Sequence, residues 1–437
     1  MVHNTDFERL LRGTAADYVL WVAAAVLVLL KLPLACLEWV GWDYAWGALA
    51  VGCLIVGVLR NDACFSLKWG GGLLLFLIVA AVGVAVNTPD PVFRCWMRWG
   101  YLSLVVLLLA PVLRSGMLDC LRRRMWVVVC WALLAGVALS GVIYVALAFA
   151  GELPYTFKGV YNHPMTAAFM AALAFCVCMG VFMAGSGRIS WRGWVALAGT
   201  VVSLLLICAG GSRMALLSAM AAMAFYVALY RNRRVAIVGG ALAAFVALIF
   251  VIPGASDEVF KILLRKFSSG VEHESFTWSR DALWQARWEE FLSSPWVGIG
   301  IGNQTVFAEP WDDIDAIMAT GNIEPGSSWL AVLSQTGAIG FIAFAAYNVQ
   351  VIVAWFKSFT HGCSFNYVKI YNSSNISEVP SFQSYIMPSG ICIALMALSL
   401  TEGYVLAGGS FFCIAFWLVM GLVGTNVRYP KLLYTYC

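Results

Sequence analysis

The sequence predicts an all-α polytopic membrane protein with about 12 transmembrane helices and one large periplasmic loop containing short helices. Three observations predict it. Of 437 residues, 62% are hydrophobic and 11% are charged, against about 45–50% apolar and about 25% charged in soluble domains. The apolar residues gather in runs of roughly 20, enough to cross a hydrocarbon core. Lysine and arginine divide unevenly between alternate connections. This composition excludes a soluble enzyme, a disordered chain and a nucleic-acid binder, and a net charge of +4 is too small to call for a polyanionic partner.

In chain order the runs are 18–37, 44–59, 69–86, 96–113, 126–150, 163–184, 191–210, 214–230, 235–252, 327–356, 385–402 and 404–424. Backbone groups in lipid must be satisfied within the segment, and no run alternates with the period of a barrel strand, so each reads as a helix. Lys31 interrupts the first run, which therefore reads as a retained helix and not a cleaved signal. The chain divides into 1–252 with nine helices, a periplasmic loop at 253–326 with amphipathic helices, and 327–437 with three helices and a cytoplasmic tail. One set of mostly short connections holds 17 of the 27 basic residues, Arg122, Arg123 and Arg124 among them. By the positive-inside rule that set is cytoplasmic, as are both termini, and an even span count agrees. The 13 cysteines are scattered without zinc spacing and read as small hydrophobes. No cofactor signature or metal motif appears, so no cofactor is expected.

The long connection carries 12 of the chain's 23 acidic residues. Loops of this length are functional or disordered, and two helix-like pieces predict order. Around 257–268, Val259, Phe260, Leu263, Leu264 and Phe267 alternate with Lys261 and Arg265 as in an interfacial amphipathic helix. Around 280–292, with Ser279 as N-cap, Arg280, Trp284, Arg287 and Phe291 share one face. Two guanidinium groups over aromatic side chains suit a phosphate-bearing ligand with an apolar tail; salt bridges to Asp281, Glu289 and Glu290 are the other reading. The following Gly298, Gly300 and Gly302 lack the strand context of a nucleotide fingerprint. Glu309, Asp312, Asp313 and Asp315 read as a solvated acidic face, with a divalent-cation site as the alternative.

Four segments in order carry a family resemblance: Gly159-Val160-Tyr161-Asn162-His163-Pro164; Gly211-Ser212-Arg213-Met214-Ala215; Ser279-Arg280 through Trp288 into Ser294-Pro295-Trp296-Val297-Gly298-Ile299-Gly300; and Ser328-Trp329-Leu330 through Gly337-Ala338-Ile339-Gly340. Over about residues 150–350 the chain resembles the O-antigen ligase and Wzy-type polysaccharide polymerase superfamily of bacterial envelope enzymes. The resemblance implies an inner-membrane glycosyltransferase that takes a glycan from an undecaprenyl-diphosphate-linked donor and passes it to a glycan acceptor in the lipid bilayer's outer leaflet. It implies that Arg213 and Arg280 lie near the diphosphate, and adds a chain-length regulator protein as a partner. Ligases of the family carry a His at the start of the helix after the long loop. Here Gly326 stands at that place, which tilts the reading to a polymerase, with the ligase as the alternative.

Arg213 opens an apolar helix, where a charge is costly and usually functional; snorkelling to the headgroups is the plain alternative. Arginines preorganised in a water-poor cleft stabilise the charge of a departing diphosphate, a role assigned to Arg213, Arg280 and, less directly, Arg287. Proton removal from the acceptor hydroxyl falls to Glu324, with Glu402 as the rival carboxylate. His163 reads as a substrate contact or a helix cap. Tyr161, Trp284 and Trp329 read as sugar-stacking rings, or as members of an interfacial aromatic belt. A lipid-linked glycan flippase and a non-catalytic assembly subunit are the readings from other classes; no internal repeat of the transporter kind is visible.

Overall fold

A computed structural model describes residues 15–35, 41–59, 63–87, 89–152, 154, 156–184, 189–229, 234, 237–238, 278–308, 315, 317–318, 324–360 and 380–428. The expected span at 235–252 apart from 237–238, the amphipathic piece at 257–268, three of the four acidic-cluster residues and the tail after 428 lie outside these; Asp315 is exposed.

Among the described residues twelve α-helices run in order: α1 (Ala15–Leu29), α2 (Gly41–Leu59), α3 (Leu67–Asn87), α4 (Cys95–Leu109), α5 (Gly116–Ala150), α6 (Pro164–Ala184), α7 (Trp191–Gly210), α8 (Arg213–Leu229), α9 (Trp278–Ser293), α10 (Ser328–Thr360), α11 (Pro380–Ser399) and α12 (Phe411–Arg428). Among the described residues seven helices are long and apolar enough to cross a membrane: α2 to α7 and α10. α1, α8 and the apolar parts of α11 and α12 are shorter apolar helices. Among the described residues the all-α class is broken by a two-residue antiparallel ladder, Cys64–Phe65 against Leu113–Arg114, and an isolated antiparallel bridge, Leu34 with Tyr161.

Several boundaries differ from the apolar runs. The first helix stops at Leu29, because the chain turns through Leu30–Ala35 to give the Ala35 N–H to Val160 O at 3.3 Å, and Pro33 O takes the Asn162 N–H. The last helix starts at Phe411; residues 404–410 are turns despite their hydropathy. Hydropathy reports burial or lipid contact, and a buried turn supplies the first as well as a helix does.

α6 is the centre of the bundle, buried along nearly its whole length and packed on α5, α7, α8 and α11. Gly210 ends α7 against Pro164 O, and the ring of Phe169 meets that of Phe412 at 5.9 Å. The starts of α6 and α8 and the approach to α12 therefore share one end of the bundle, the site end. At the opposite end Arg122, fully buried, donates to the carbonyls of Leu108, Ala110 and Leu113 at 2.7–3.0 Å and pairs with Asp119 at 2.8 Å. The basic triplet thus has a structural task beyond marking orientation: Arg122 closes the open carbonyls at the end of α4.

α10 is interrupted. Gly337 takes φ 64°, ψ −174° inside it, a left-handed φ that glycine adopts without steric cost. The segment after α9 is threaded into this break. Ile299 and Gly300 donate to Ser334 O and Gln335 O at 2.9 and 3.1 Å, and Pro295 O and Trp296 O accept from Ala338 and Ile339 at 2.8 and 3.3 Å. Asn87 of α3 donates to Gly298 O at 2.7 Å. A Cβ on Gly298 would stand 2.3 Å from the Gln335 carbonyl carbon. The glycine run is thus a clasp whose groups replace the broken helical ladder, as buried backbone requires.

Candidate functional site

α9 starts at Trp278, so Ser279 lies inside its first turn and not at the cap; Asp281 in that turn complements the helix dipole. Leu283, Ala286, Arg287 and Glu290 are buried, while Asp281, Gln285, Trp288 and Glu289 are exposed. This face docks on α10 and on a small cluster with Val306 and Ala308.

The first turn delivers Arg280 between two carboxylates. Its Nη1 donates to Glu324 Oε1 and its Nη2 to Glu402 Oε1 at 3.0 Å. The surroundings are graded. The side chains of Arg280 and Glu402 are 16% and 17% exposed, and that of Glu324 is 62% exposed. Burial pushes the Glu402 carboxyl up to about 7, with Arg280 pulling down and the negative charge of Glu324 adding to the rise. Burial works against the Arg280 charge, but Glu402 and Glu324 outweigh it and hold its pKa above the usual value. Glu402 sits in the turn after α11, where Ser328 Oγ, the first residue of α10, donates to its carbonyl at 2.5 Å and accepts from Val405 N–H at 3.3 Å. The starts of α9 and α10 and the end of α11 are thereby tied together around one guanidinium.

The other expected site residues divide into two groups. Arg213 opens α8, half-buried, at the site end; the preceding Ser212 caps the helix by accepting from Ala215 N–H at 3.2 Å. His163 is exposed at the same end, and its Nδ1 accepts from Met165 N–H at 3.2 Å, so the ring caps α6. Trp284 lies beside Arg280, partly buried, with its Nε1 donating to Gly326 O at 3.4 Å.

Three residues depart from their expected roles. Arg287 turns inward: its side chain and that of Glu290 are both 0% exposed, paired at 3.1 Å, and Arg287 also donates to Val306 O at 3.2 Å. An enclosed, paired guanidinium is not placed to meet a diphosphate. Tyr161 is buried, its hydroxyl lying where a Cβ on Gly136 would be, so its ring offers no face to a sugar. Trp329 donates to Ser399 Oγ at 3.0 Å and packs against Phe341 and Phe344, with ring centroids 6.2 and 5.3 Å away. It is a brace between α10 and α11.

Sequence reasoning quoted Ser328 only within a motif, gave Glu290 only as a salt-bridge partner, which is what it is for Arg287, and ranked Glu402 second. A signal for Glu402 was present: it is the only acidic residue after Pro380. Gly326 adopts φ 72°, and a Cβ there would stand 2.9 Å from that of Leu283. A side chain at this position is strained by both backbone and packing.

A family model described as O-antigen ligase (Wzy_C) matches residues 198–345. The matched stretch runs from α7 into α10 and contains Arg213, Arg280, Arg287 and Glu324, but not Glu402. No curated protein and no solved structure gives a significant match.

Proposed function

We propose, from the match of residues 198–345 to an O-antigen ligase family model, that this protein is an integral membrane glycosyltransferase that polymerises undecaprenyl-diphosphate-linked oligosaccharide repeat units on the periplasmic face of the bacterial inner membrane. The observation that carries the proposal is the Arg280 guanidinium held between a buried carboxyl and an exposed one.

The division of labour follows from that asymmetry. The exposed Glu324 holds Arg280 at rest and yields to an arriving diphosphate, whose oxygens form the same charge-assisted contacts. Arg280 and Arg213, at the same end of the bundle, then oppose the charge that develops as the bond from the anomeric carbon to the phosphate oxygen breaks. Glu402, with a pKa of about 7, is poised as the general base. It takes the proton of the acceptor hydroxyl as that oxygen bonds to the anomeric carbon, and the electron pair of the broken bond leaves on the diphosphate. A base is most useful when its pKa lies near the working pH. The base role thus moves from Glu324 to Glu402.

Gly326 favours the polymerase over the ligase, because the His of the resembled ligases is absent there and any side chain would be strained by the left-handed backbone and the Leu283 contact. The test is purified protein in lipid discs with lipid-linked repeat units. Elongated products supported by wild type and lost in Arg280→Ala and Glu402→Gln are expected. Transfer only to lipid A core points to the ligase, and translocation across vesicles without new glycosidic bonds overturns the enzyme reading.

A further inference from the structure

The buried pair Arg287–Glu290 is not used by the chemistry above, yet it is the most enclosed ion pair among the described residues. Glu290 Oε1 accepts from Thr305 N–H at 2.9 Å and from Val306 N–H at 3.3 Å, and the Ser334 side chain, whose hydroxyl donates to Ala331 O at 3.4 Å, lies beside the carboxylate and favours its charged form. Arg287 returns to the same loop through Val306 O. Ser334 is also the residue whose carbonyl receives the clasp from Ile299 in the broken part of α10. One carboxylate therefore joins the middle of α9, the strand of loop after the clasp and the last turn before the break.

Apolar residues of similar volume stabilise such a place as well as or better than a buried ion pair, so the pair is weak evidence for stability alone. It does impose one geometry, because charged groups without water must keep their partners. Seven residues are nearly two helical turns, so Arg280 lies on the same side of α9 as Arg287, and a rotation of the helix that breaks one alignment breaks the other.

We infer that Arg287 and Glu290 are positioning residues: together with Ser334 they set the rotation and depth of α9 on α10, and so deliver the Arg280 guanidinium to Glu402. The inference draws on the proposed function for its turnover readout alone. The charged and titratable groups around Glu402 are Arg280 from α9, Glu324 from the loop before α10, and Tyr404 in its own turn. Arg280 is the one that lowers the Glu402 pKa, so the titration of Glu402 reports where Arg280 is.

The experiment is an infrared titration of the full-length protein in lipid discs, following the protonated-carboxyl band that disappears in Glu402→Gln. The wild-type midpoint is expected near 7. The double variant Arg287→Met with Glu290→Gln keeps an acceptor for the Thr305 and Val306 N–H groups and removes both charges. It is expected to raise the midpoint by about one pH unit, the size of losing a close opposite charge, and to lower the turnover number more than the apparent substrate affinity. Arg287→Lys, which keeps a charge opposite Glu290, is expected to recover most of the midpoint. A folded double variant that titrates like wild type overturns the inference. Should the double variant not fold, Ser334→Ala replaces it: a smaller upward shift supports the inference, and an unmoved midpoint overturns it. A wild type that titrates near 7 but elongates nothing overturns the proposed function, while the midpoint shifts still decide the positioning role.

Discussion

α9 carries two arginines two turns apart, and their surroundings are opposite. Arg287 and its partner Glu290 are sealed from solvent, and backbone groups of one loop bond to both. Arg280 sits at a graded boundary, with one buried carboxylate on one side and a largely exposed one on the other. The same side chain thus does two different things. In the closed setting the guanidinium is paired with Glu290, bonded to Val306 O and shut off from solvent, and exchange with a ligand leaves a buried charge behind. In the half-open setting Glu324 can leave for water, so the guanidinium is exchangeable. A guanidinium reads as functional when one of its partners is replaceable, and as structural when none is.

Breaking the closed pair should have the largest effect, and on folding. Glu290→Ala leaves Arg287 buried without its counter-charge, and is expected to cost about 3–5 kcal/mol, seen as loss of monodisperse protein in detergent and a lower midpoint in thermal unfolding. Breaking the half-open cluster should act on chemistry. Arg280→Ala is expected to lower elongation by about 10²–10³-fold, as when one preorganised donor is removed, with little change in thermal midpoint. Glu402→Gln is expected to lower it by about 10²–10⁴-fold, measured in the same assay.

The pH dependence sharpens the comparison. A base with a pKa of about 7 must be ionised to act, so wild-type elongation should rise with pH through about 7. Stability runs the other way. The folded pKa of Glu402 lies above the ordinary carboxyl value of about 4.3, so its contribution is present in full below that value and is lost as pH rises through about 7. A pH–rate profile and a pH series of thermal midpoints check the two signs. The smallest effect belongs to His163→Ala, where losing the α6 cap is expected to cost about 1 kcal/mol and to leave product lengths unchanged on a gel.

Much of the membrane architecture was legible because lipid imposes it: an apolar run without water has few options but a helix. The runs at 163–184 and 191–210 match α6 and α7 to within a residue or so. The run at 404–424 failed at its start, since Tyr404–Ser410 is apolar through burial in a turn. The helix carrying Arg280 was visible from its spacing, but the different fates of Arg280 and Arg287 were not, because both lie on the docked face and periodicity is silent on what faces them. The clasp was also hidden. Gly298, Gly300, Gly302 and Gly337 announce unusual backbone, yet their partners lie more than thirty residues apart along the chain.

The sequence by itself determined the solvent each segment prefers, and hence the helices, their approximate limits and a short roster of costly charges. Only the tertiary structure decided which of those charges meet. Glu402 lies 122 positions from Arg280, and no local pattern links them. Their contact exists because α9 is clasped into the break in α10 and α10 is tied through Ser328 to the turn after α11, and it is that enclosure which raises one carboxyl and leaves the other open to exchange.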